Sequence, residues 1–327
     1  MTVLTDRQIA PKTEQASAVI ETYELSKTYR TGFFMNQQIE SLKKCSLQIF
    51  AGETFGLLGL NGAGKTTLLK SLLGIVRPTH GRSQILGSSI DDPNIRQRIG
   101  YLPENAYFYD YLTGWEVLEF TADLFQIPHK IRKQRIPALL DMVGLAQSAA
   151  KGKKMRQYSK GMQQRIGMAQ ALINDPDIVF LDEPMSGLDP LGRKQMRDII
   201  LSLSDNRKTV FFNSHILTEV EQICTRVGIL SRGELIACGT LDELLTYSTG
   251  SYTVQGRNGN MDILQRWISD LEVDGDRWRG QLRGEPQEFL ATMRLMEAEL
   301  IEIRQGKMSL EDFFMQQMSI RGINSST

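Results

Sequence analysis

The stretch GLNGAGKTT, Gly59–Thr67, matches the phosphate-loop pattern G-x-x-x-x-G-K-[ST]. The apolar run TFGLLGL, which leads into it, predicts a buried strand. The leucine-rich stretch TTLLKSLLGIV, which follows it, predicts a buried helix that ends before Pro78. Strand, glycine loop and helix therefore occur in the order that a phosphate loop requires. The alternative is a glycine turn with an incidental lysine.

Each residue type in this loop has a chemical role. The glycines allow backbone N–H groups to turn inward around phosphate oxygens. Lys65 is expected to place its charge on the β and γ phosphates of a nucleotide, and Thr66 to offer its hydroxyl to Mg²⁺. The expected nucleotide-binding residues of the loop are Gly59, Asn61, Gly62, Ala63, Gly64, Lys65, Thr66 and Thr67.

The stretch DIVFLDEP places two carboxylates, Asp182 and Glu183, at the end of another apolar run. Asp182 is expected to hold Mg²⁺ at the carboxyl edge of a parallel sheet. Glu183 is expected to polarise a water towards the γ phosphate, which is acid–base help worth roughly 10²–10⁴ in rate. The alternative for the pair is a helix N-terminus with favourable charges.

A second anion-binding pattern occurs at YSKGMQQR, Tyr158–Arg165. Met162, Ile166, Ala169 and Ile173 recur at helical spacing, so Ser159 and Gly161 lie at a helix start. Such a start offers free backbone N–H groups and a capping hydroxyl to an anion. Because the loop at Gly59–Thr67 already surrounds one triphosphate, this helix start is redundant within one subunit, but it is useful if it meets the nucleotide of another.

The charge balance excludes a general affinity for nucleic acid. Lys plus Arg and Asp plus Glu both number 38 in 327 residues, so the formal net charge is zero. The basic run KGKKMRQYSK lacks interleaved aromatic residues beyond Tyr158, and a solvated charged face is the favoured interpretation. We therefore expect no nucleic-acid partner.

The cysteines and the hydrophobic pattern indicate a cytosolic chain. Cys45, Cys224 and Cys238 are far apart, without paired or metal-like spacing. The N-terminus lacks a basic start followed by an apolar core, and no later stretch approaches the roughly 20 apolar residues that span a bilayer. Any membrane role is expected to come through a partner.

Helices alternate with short apolar strands, which predicts an α/β fold with a mainly parallel core sheet. In residues 105–172, Thr113 and Glu116 have capping-box spacing at the start of a helix. The pattern changes near 241–249, and a small second α/β domain is expected from about residue 250. Its predicted strands are SYTVQGR, RWRGQLRG and LIEIRQG, and its predicted helices are MDILQRWISDL, EPQEFLATMRLM and SLEDFFMQQM.

Together these motifs resemble the ATP-binding cassette (ABC) family of P-loop NTPases over about residues 20–243. Several occur in the family's order, and the resemblance assigns each a role. Tyr29 resembles the aromatic that stacks on adenine, and His215 resembles the switch histidine on the γ phosphate. Asp189, in SGLDP, resembles the loop that crosses between paired cassettes. The alternatives are an ordinary strand tyrosine and a structural histidine.

The stretch YSKGMQQR resembles the family signature LSGGQ, which closes on the ATP of the opposite subunit. Ser159, Gly161 and Gln163 keep the relevant positions, whereas Lys160 and Met162 depart from it. Glu104 stands where the family commonly has Gln, and it is expected to join Thr66 and Asp182 at the metal. The catalytic residues that the resemblance implies are Lys65, Glu183 and His215.

The resemblance also implies a domain layout. We expect a flexible arm at 1–19, and an ABC ATPase domain at 20–243 with an antiparallel β subdomain and a helical subdomain at about 105–172. A small C-terminal accessory domain is expected at 250–327.

The function that the resemblance implies is that of an ATP-hydrolysing motor with Mg²⁺ as cofactor. The expected partners are a second ATPase subunit, in a homodimer, and a separate transmembrane permease at the cytoplasmic face of the membrane. The variant GYLPE and the C-terminal ending SLEDFFMQQM resemble the ATPases of two-component exporters. The alternative is a soluble cassette ATPase that acts as a mechanical switch in translation or DNA maintenance.

Overall fold

The computed structural model describes residues 17–32, 36–89, 91–245, 252–296, 298–305 and 308–322. The chain divides into two units, Met1–Gly239 and Thr240–Thr327.

The strands are β1 (Ala18–Thr31), β2 (Gln37–Phe50), β3 (Thr54–Leu58), β4 (His80–Ile85), β5 (Ser88–Ser89), β6 (Ile99–Leu102), β7 (Ile178–Asp182), β8 (Thr209–Asn213), β9 (Arg226–Ser231), β10 (Glu234–Thr240), β11 (Tyr252–Arg257), β12 (Ile268–Asp274), β13 (Arg277–Leu282) and β14 (Glu299–Gln305). The helices are α1 (Lys65–Leu72), α2 (Pro93–Arg96), α3 (Gly114–Leu124), α4 (His129–Met142), α5 (Gln147–Gly152), α6 (Lys160–Ala171), α7 (Pro190–Asp205), α8 (Leu217–Ile223), α9 (Leu241–Leu244), α10 (Met261–Trp267), α11 (Pro286–Leu295) and α12 (Leu310–Ile320).

A six-stranded sheet of order β10-β9-β3-β8-β7-β6 forms the centre of the first unit. β3 pairs in parallel with β8 and β9, and β7 pairs in parallel with β6 and β8. Every residue of β3, β7 and β8 is buried, as expected for apolar runs covered on both faces. The Phe211 ring lies 5.9 Å from that of Phe55 and 5.4 Å from that of Phe180, so aromatic contacts join the three strands.

The carboxyl ends of these parallel strands meet at one edge of the sheet. β3 ends at Leu58, directly before the glycine loop, β7 ends at Asp182 and β8 ends at Asn213. Ligands of open α/β sheets bind at this edge. The topology therefore brings together loops that lie more than a hundred residues apart in the chain.

The first unit also contains an antiparallel sheet of order β2-β1-β4-β5 and the helices α3 to α6. The capping box at the start of α3 is confirmed, because the Thr113 hydroxyl accepts a hydrogen bond from the Glu116 N–H and the Thr113 N–H donates to the Glu116 carboxylate. The predicted α/β fold class, with its parallel, antiparallel and helical parts, is confirmed.

The second unit contains an antiparallel sheet of order β12-β13-β11-β14. Its core includes Val254, Trp278 and Phe289, and the Trp278 indole N–H donates to the Asn258 carbonyl. One sequence prediction here is wrong. The helix predicted from MDILQRWISDL ends at Trp267, and the following residues form β12, which pairs with β13. Hairpin pairing and burial of Ile268 outweigh the helical spacing.

Most of the arm predicted at 1–19 lies outside the described residues, but its last two residues, Ala18 and Val19, belong to β1 rather than to an arm. Ala18 pairs with Phe50 of β2, and the Val19 carbonyl accepts a hydrogen bond from the Leu86 N–H at 2.7 Å. In the described ranges, no helix combines the length and apolar character that crossing a bilayer requires.

Candidate functional site

The glycine loop between β3 and α1 has a backbone that only glycine accommodates well. Gly62 and Gly64 have φ values of 79° and 105°. A Cβ added at Gly64 would lie 2.3 Å from the Ser41 carbonyl oxygen, so a side chain there would displace the loop. The helix that follows has no side-chain cap at its N-terminus, and its first N–H groups face the loop.

Lys65, the first residue of α1, folds back over this loop. Its ammonium donates to the carbonyl oxygens of Gly59 at 2.6 Å and Leu60 at 3.3 Å. Burial lowers the pKa of Lys65, and the carboxylates of Glu183, Asp182 and Glu104 oppose that shift. The site thus holds a buried cation beside three carboxylates.

Asp182 lies at the end of β7 and is almost fully buried. The Asn213 amide donates to its carboxylate at 2.6 Å. Burial raises the pKa of Asp182, with Glu104 and Glu183 adding to the effect. The amide oxygen of Asn213 is buried and accepts no hydrogen bond from the described residues, so it is an acceptor that a bound group could use.

Glu183 has a left-handed backbone, with φ of 50°, which costs a non-glycine residue of order 1 kcal/mol or more. Its N–H donates to the Asn213 carbonyl at 2.9 Å, which holds this conformation. Its carboxylate lies 2.8 Å from Nδ1 of His215, a half-exposed residue just after β8. Strained backbone that neighbouring strands hold in place is common at functional sites. Here the strained residue is Glu183, and its carboxylate contacts His215.

One cavity of about 290 Å³ collects most of the residues that the sequence indicates. Glu104, Glu183 and His215 line it together with the glycine loop. The loop residues that line it are Leu60, Asn61, Gly62, Ala63, Gly64, Lys65, Thr66 and Thr67. Asp182 is not among the lining residues, but its carboxylate accepts a hydrogen bond from Asn213, which is one of them.

The polar groups of this cavity suit a triphosphate with a hard cation. Thr66 and Asp182 offer oxygen atoms, as does the amide oxygen of Asn213, and oxygen atoms are the ligands that Mg²⁺ prefers. In the described part of the chain, no group of three or more His, Cys, Asp or Glu side chains could hold a metal ion by itself. Mg²⁺ itself commonly takes one or two carboxylates and completes its shell with phosphate oxygens and water.

The helix start at Ser159 lines a different cavity, of about 620 Å³. The Ser159 hydroxyl accepts from the Met162 N–H at 3.3 Å, so it acts as the N-cap of α6. Ser159 and Gly161 line this cavity together with Gly187 and Asp189, whereas Gln163 does not.

Lys160, the first residue of α6, lies against the loop at Gly187. A Cβ added at Gly187, where φ is 70°, would lie 2.7 Å from the Lys160 ammonium nitrogen. Asp189 accepts from the Gly192 N–H at 2.8 Å and caps α7, which is a structural use of that carboxylate. At the start of α6 the charged residue is thus Lys160, a positive one, whereas the nearby carboxylate of Asp189 is used by α7.

We call the cavity of about 290 Å³ at the glycine loop the phosphate cavity. Tyr29 is half-buried on β1 and is not among the residues that line it. The Lys27 ammonium lies 5.1 Å from the centre of its ring.

Sequence reasoning missed Ser41 and Asn213, which line the phosphate cavity. The Ser41 hydroxyl lies 2.8 Å from that of Thr67 and fixes one wall of the loop. Asn213 ends β8 just as Asp182 ends β7, and the two are paired across the sheet. The polar end of the apolar run TVFFN was a signal that could have found Asn213.

The aromatic segment between β6 and α3 is divided between core and surface. Tyr107, Tyr109 and Tyr111 are 91%, 54% and 64% exposed, whereas Phe108 is buried. Trp115 is half-buried, with the Lys151 ammonium 4.1 Å from its ring centre. The exposed tyrosines alternate along an irregular stretch, and the rings of Tyr109 and Tyr111 lie 5.7 Å apart.

Comparisons with known proteins agree with this geometry. A family model described as ABC transporter matches residues 42–186. An uncharacterized ABC transporter ATP-binding protein of Nostoc sp. is 58% identical over 94% of this chain and 91% of its own length. A Nod factor export ATP-binding protein of Ralstonia nicotianae is 34% identical over 76% of this chain and 78% of its own. A solved dimeric ATP-binding cassette in a post-hydrolysis state, bound to ADP and Pi, covers 68% of this chain and 98% of its own, with 27% identity and a TM-score of 0.62.

Proposed function

Because this chain belongs to the ABC transporter family as an ATP-binding subunit, we propose that it is the ATP-hydrolysing motor of an exporter. It pairs with a second copy of itself and acts on a separate transmembrane subunit at the cytoplasmic face of the membrane. The observation that carries the proposal is the single cavity in which the glycine loop, Glu183 and His215 come together.

The chain's own residues divide the work of hydrolysis. ATP is the substrate, and a bound Mg²⁺ would neutralise charge on its β and γ phosphates. Lys65 and the N–H groups of the glycine loop hold the β and γ phosphates, and Thr66, Asp182 and Glu104 are the proposed metal ligands. Glu183 accepts a proton from the water that attacks the γ phosphorus, while the bond from this phosphorus to the β,γ-bridging oxygen breaks and ADP leaves. His215 keeps the Glu183 carboxylate in place through the contact at Nδ1.

The helix start at Ser159 supports the dimer. It lines a cavity apart from the glycine loop, so its free N–H groups are available to a nucleotide held by another subunit. We propose that Ser159, Gly161 and Gln163 close on the opposite ATP, with Asp189 in the crossing loop and Tyr29 stacked on adenine in its own subunit. The dimeric state of the related cassette supports this arrangement.

Export is favoured over import by the name of one relative, the Nod factor export protein, which is similar to most of this chain. The exposed tyrosines Tyr107, Tyr109 and Tyr111 follow Glu104 closely in the chain. We propose that they form the docking surface for a short helix of the transmembrane subunit, because aromatic anchors carry much of the energy of such contacts.

Replacing Tyr107, Tyr109 and Tyr111 together by Ser tests the docking surface. The side chains are exposed, so the isolated subunit should keep its folding and its basal ATPase activity. Co-purification with the transmembrane subunit and transport in membranes should both be lost. The control is Ile75→Ala, which removes an exposed apolar side chain elsewhere in the unit. A triple variant that still assembles and transports at the wild-type rate would show that this surface is not the docking site.

A further inference from the structure

Glu219, in α8, is a buried acid that the proposed mechanism leaves without a role. The Ser214 hydroxyl donates to its Oε2 at 3.2 Å, and the Ile216 N–H donates to the Ser214 hydroxyl at 3.0 Å. These two bonds close the turn that carries His215. Burial raises the pKa of Glu219, as expected for a carboxylate held away from water. Glu219 therefore supports the backbone on both sides of the histidine.

The other carboxylate oxygen of Glu219 is incompletely paired. Oε1 is buried and accepts no hydrogen bond from any residue that the structure describes. A guanidinium nitrogen of Arg193 lies 3.8 Å from it, inside the range of charge attraction but beyond hydrogen-bond distance. A buried charged oxygen that lacks a hydrogen bond costs free energy, so a shorter distance between Arg193 and Glu219 would be favourable.

The same guanidinium holds the loop at Gly187–Asp189. Nε of Arg193 donates to the Leu188 carbonyl oxygen at 3.2 Å. Arg193 thus lies between the loop before α7 and the carboxylate of α8. A movement of that loop that carries Arg193 about 1 Å towards Glu219 would give a charge-assisted hydrogen bond. The contact would then have two arrangements, the open one seen here at 3.8 Å and a closed one, as coupling between two loops requires.

We propose that Glu219 and Arg193 are positioning residues that couple the Gly187–Asp189 loop to the turn of His215. When this loop seats against a second subunit, Arg193 closes on Glu219, and the tightened turn fixes His215 against Glu183. Hydrolysis then proceeds fully only in the assembled dimer. The inference rests on the proposed function, since it assumes that Glu183 and His215 act on ATP in a dimer.

Glu219→Gln tests the coupling, because the amide keeps the size of the side chain and an oxygen acceptor for Ser214 while it removes the charge. We expect kcat for ATP to fall about tenfold, the effect of losing one hydrogen bond to a charged group. KM should stay unchanged, because Glu219 does not line the phosphate cavity. Arg193→Gln should lower kcat to the same degree, and the double variant should lose no more than either single variant.

Glu53→Gln is the matched control. The side chains of Glu53 and Glu219 are both 11% exposed, and Glu53 pairs with Arg226 at 3.0 Å next to the other end of β3. Removing this charge should lower thermal stability and leave kcat unchanged, as expected for a pair that only supports the fold. Arg193 is 44% exposed, so its Gln variant gives a folded protein even if Glu219→Gln does not.

A wild-type kcat in folded Arg193→Gln or Glu219→Gln would overturn the inference, and so would additive losses in the double variant. A kcat loss in Glu53→Gln equal to that in Glu219→Gln would also overturn it, since any buried pair would then have the same effect. Absence of hydrolysis in the wild-type dimer, by contrast, would refute the proposed function and the inference with it.

Discussion

Two helix N-termini in the first unit offer N–H groups to an anion, at α1 and at α6, and they differ in what surrounds them. α1 begins at Lys65, with Asp182 and Glu183 close enough to affect the pKa of that lysine. α6 begins after Ser159, and the described residues that line its cavity include one carboxylate, Asp189, which caps α7. The first helix start has the groups that we propose for both binding and hydrolysis, whereas the second has only groups that we propose for binding.

The difference supports our proposal that the second helix start is part of a site that one subunit does not complete. Helices usually place acidic residues in their first turn, because the N-terminal end of the dipole is positive. α6 has Lys160 there instead, as α1 has Lys65, and at both helix starts the lysine adds to the attraction for an anion. We therefore interpret the start of α6 as one half of a nucleotide site whose other half, the glycine loop, lies on a second subunit.

Glu183→Gln is expected to have the largest effect on this comparison. The amide keeps the size of the side chain and loses the base, so hydrolysis should fall by roughly 10²–10⁴ while ATP binding is preserved. Turnover is measured by phosphate release, and binding by direct titration. If more than a tenth of the turnover remained, Glu183 would not be the base. The proposed difference between the two helix starts, a hydrolytic group at α1 and none at α6, would then lose its main support.

Lys65→Ala is expected to have the next largest effect, on binding itself. Loss of a charged hydrogen-bond donor to the phosphates should weaken ATP binding by about tenfold or more in a monomer titration. Lys160→Ala is the matched control, because Lys160 is the first residue of α6 as Lys65 is of α1. It should leave monomer binding unchanged. Equal affinities of the Lys65→Ala variant and the wild type would contradict the assignment.

The parts of this molecule that follow from local sequence were predictable. The glycine loop and the capping box of Thr113 and Glu116 depend on residues a few positions apart, and the structure has both. Contacts between distant segments were not predictable in this way. Asn213 reaches Asp182 only because β7 and β8 are neighbours in the sheet, and Glu219 meets Arg193 only because the loops before α7 and α8 end at the same edge.

The second unit shows the same limit in its secondary structure. The spacing of apolar residues in MDILQRWISDL fits a helix, but the structure ends α10 at Trp267 and pairs the following residues with β13. Pairing across a hairpin is not visible in the helical period of the sequence.

A covalently linked dimer tests the central claim most directly, namely that the α6 start of one subunit serves the α1 site of the other. Two variants are combined in two ways. In the first dimer, one subunit carries Ser159→Arg and the other carries Glu183→Gln. In the second dimer, one subunit carries both changes and its partner carries none. ATP hydrolysis is measured for each dimer and for the linked wild type.

In the first dimer, both changes should disable the same site, so roughly half of the wild-type hydrolysis should remain because the symmetry-related site is intact. In the second dimer, each change should disable a different site, and hydrolysis should be lost. The reverse result, with activity lost in the first dimer and kept in the second, would show that Ser159 serves the nucleotide of its own subunit and would contradict the account.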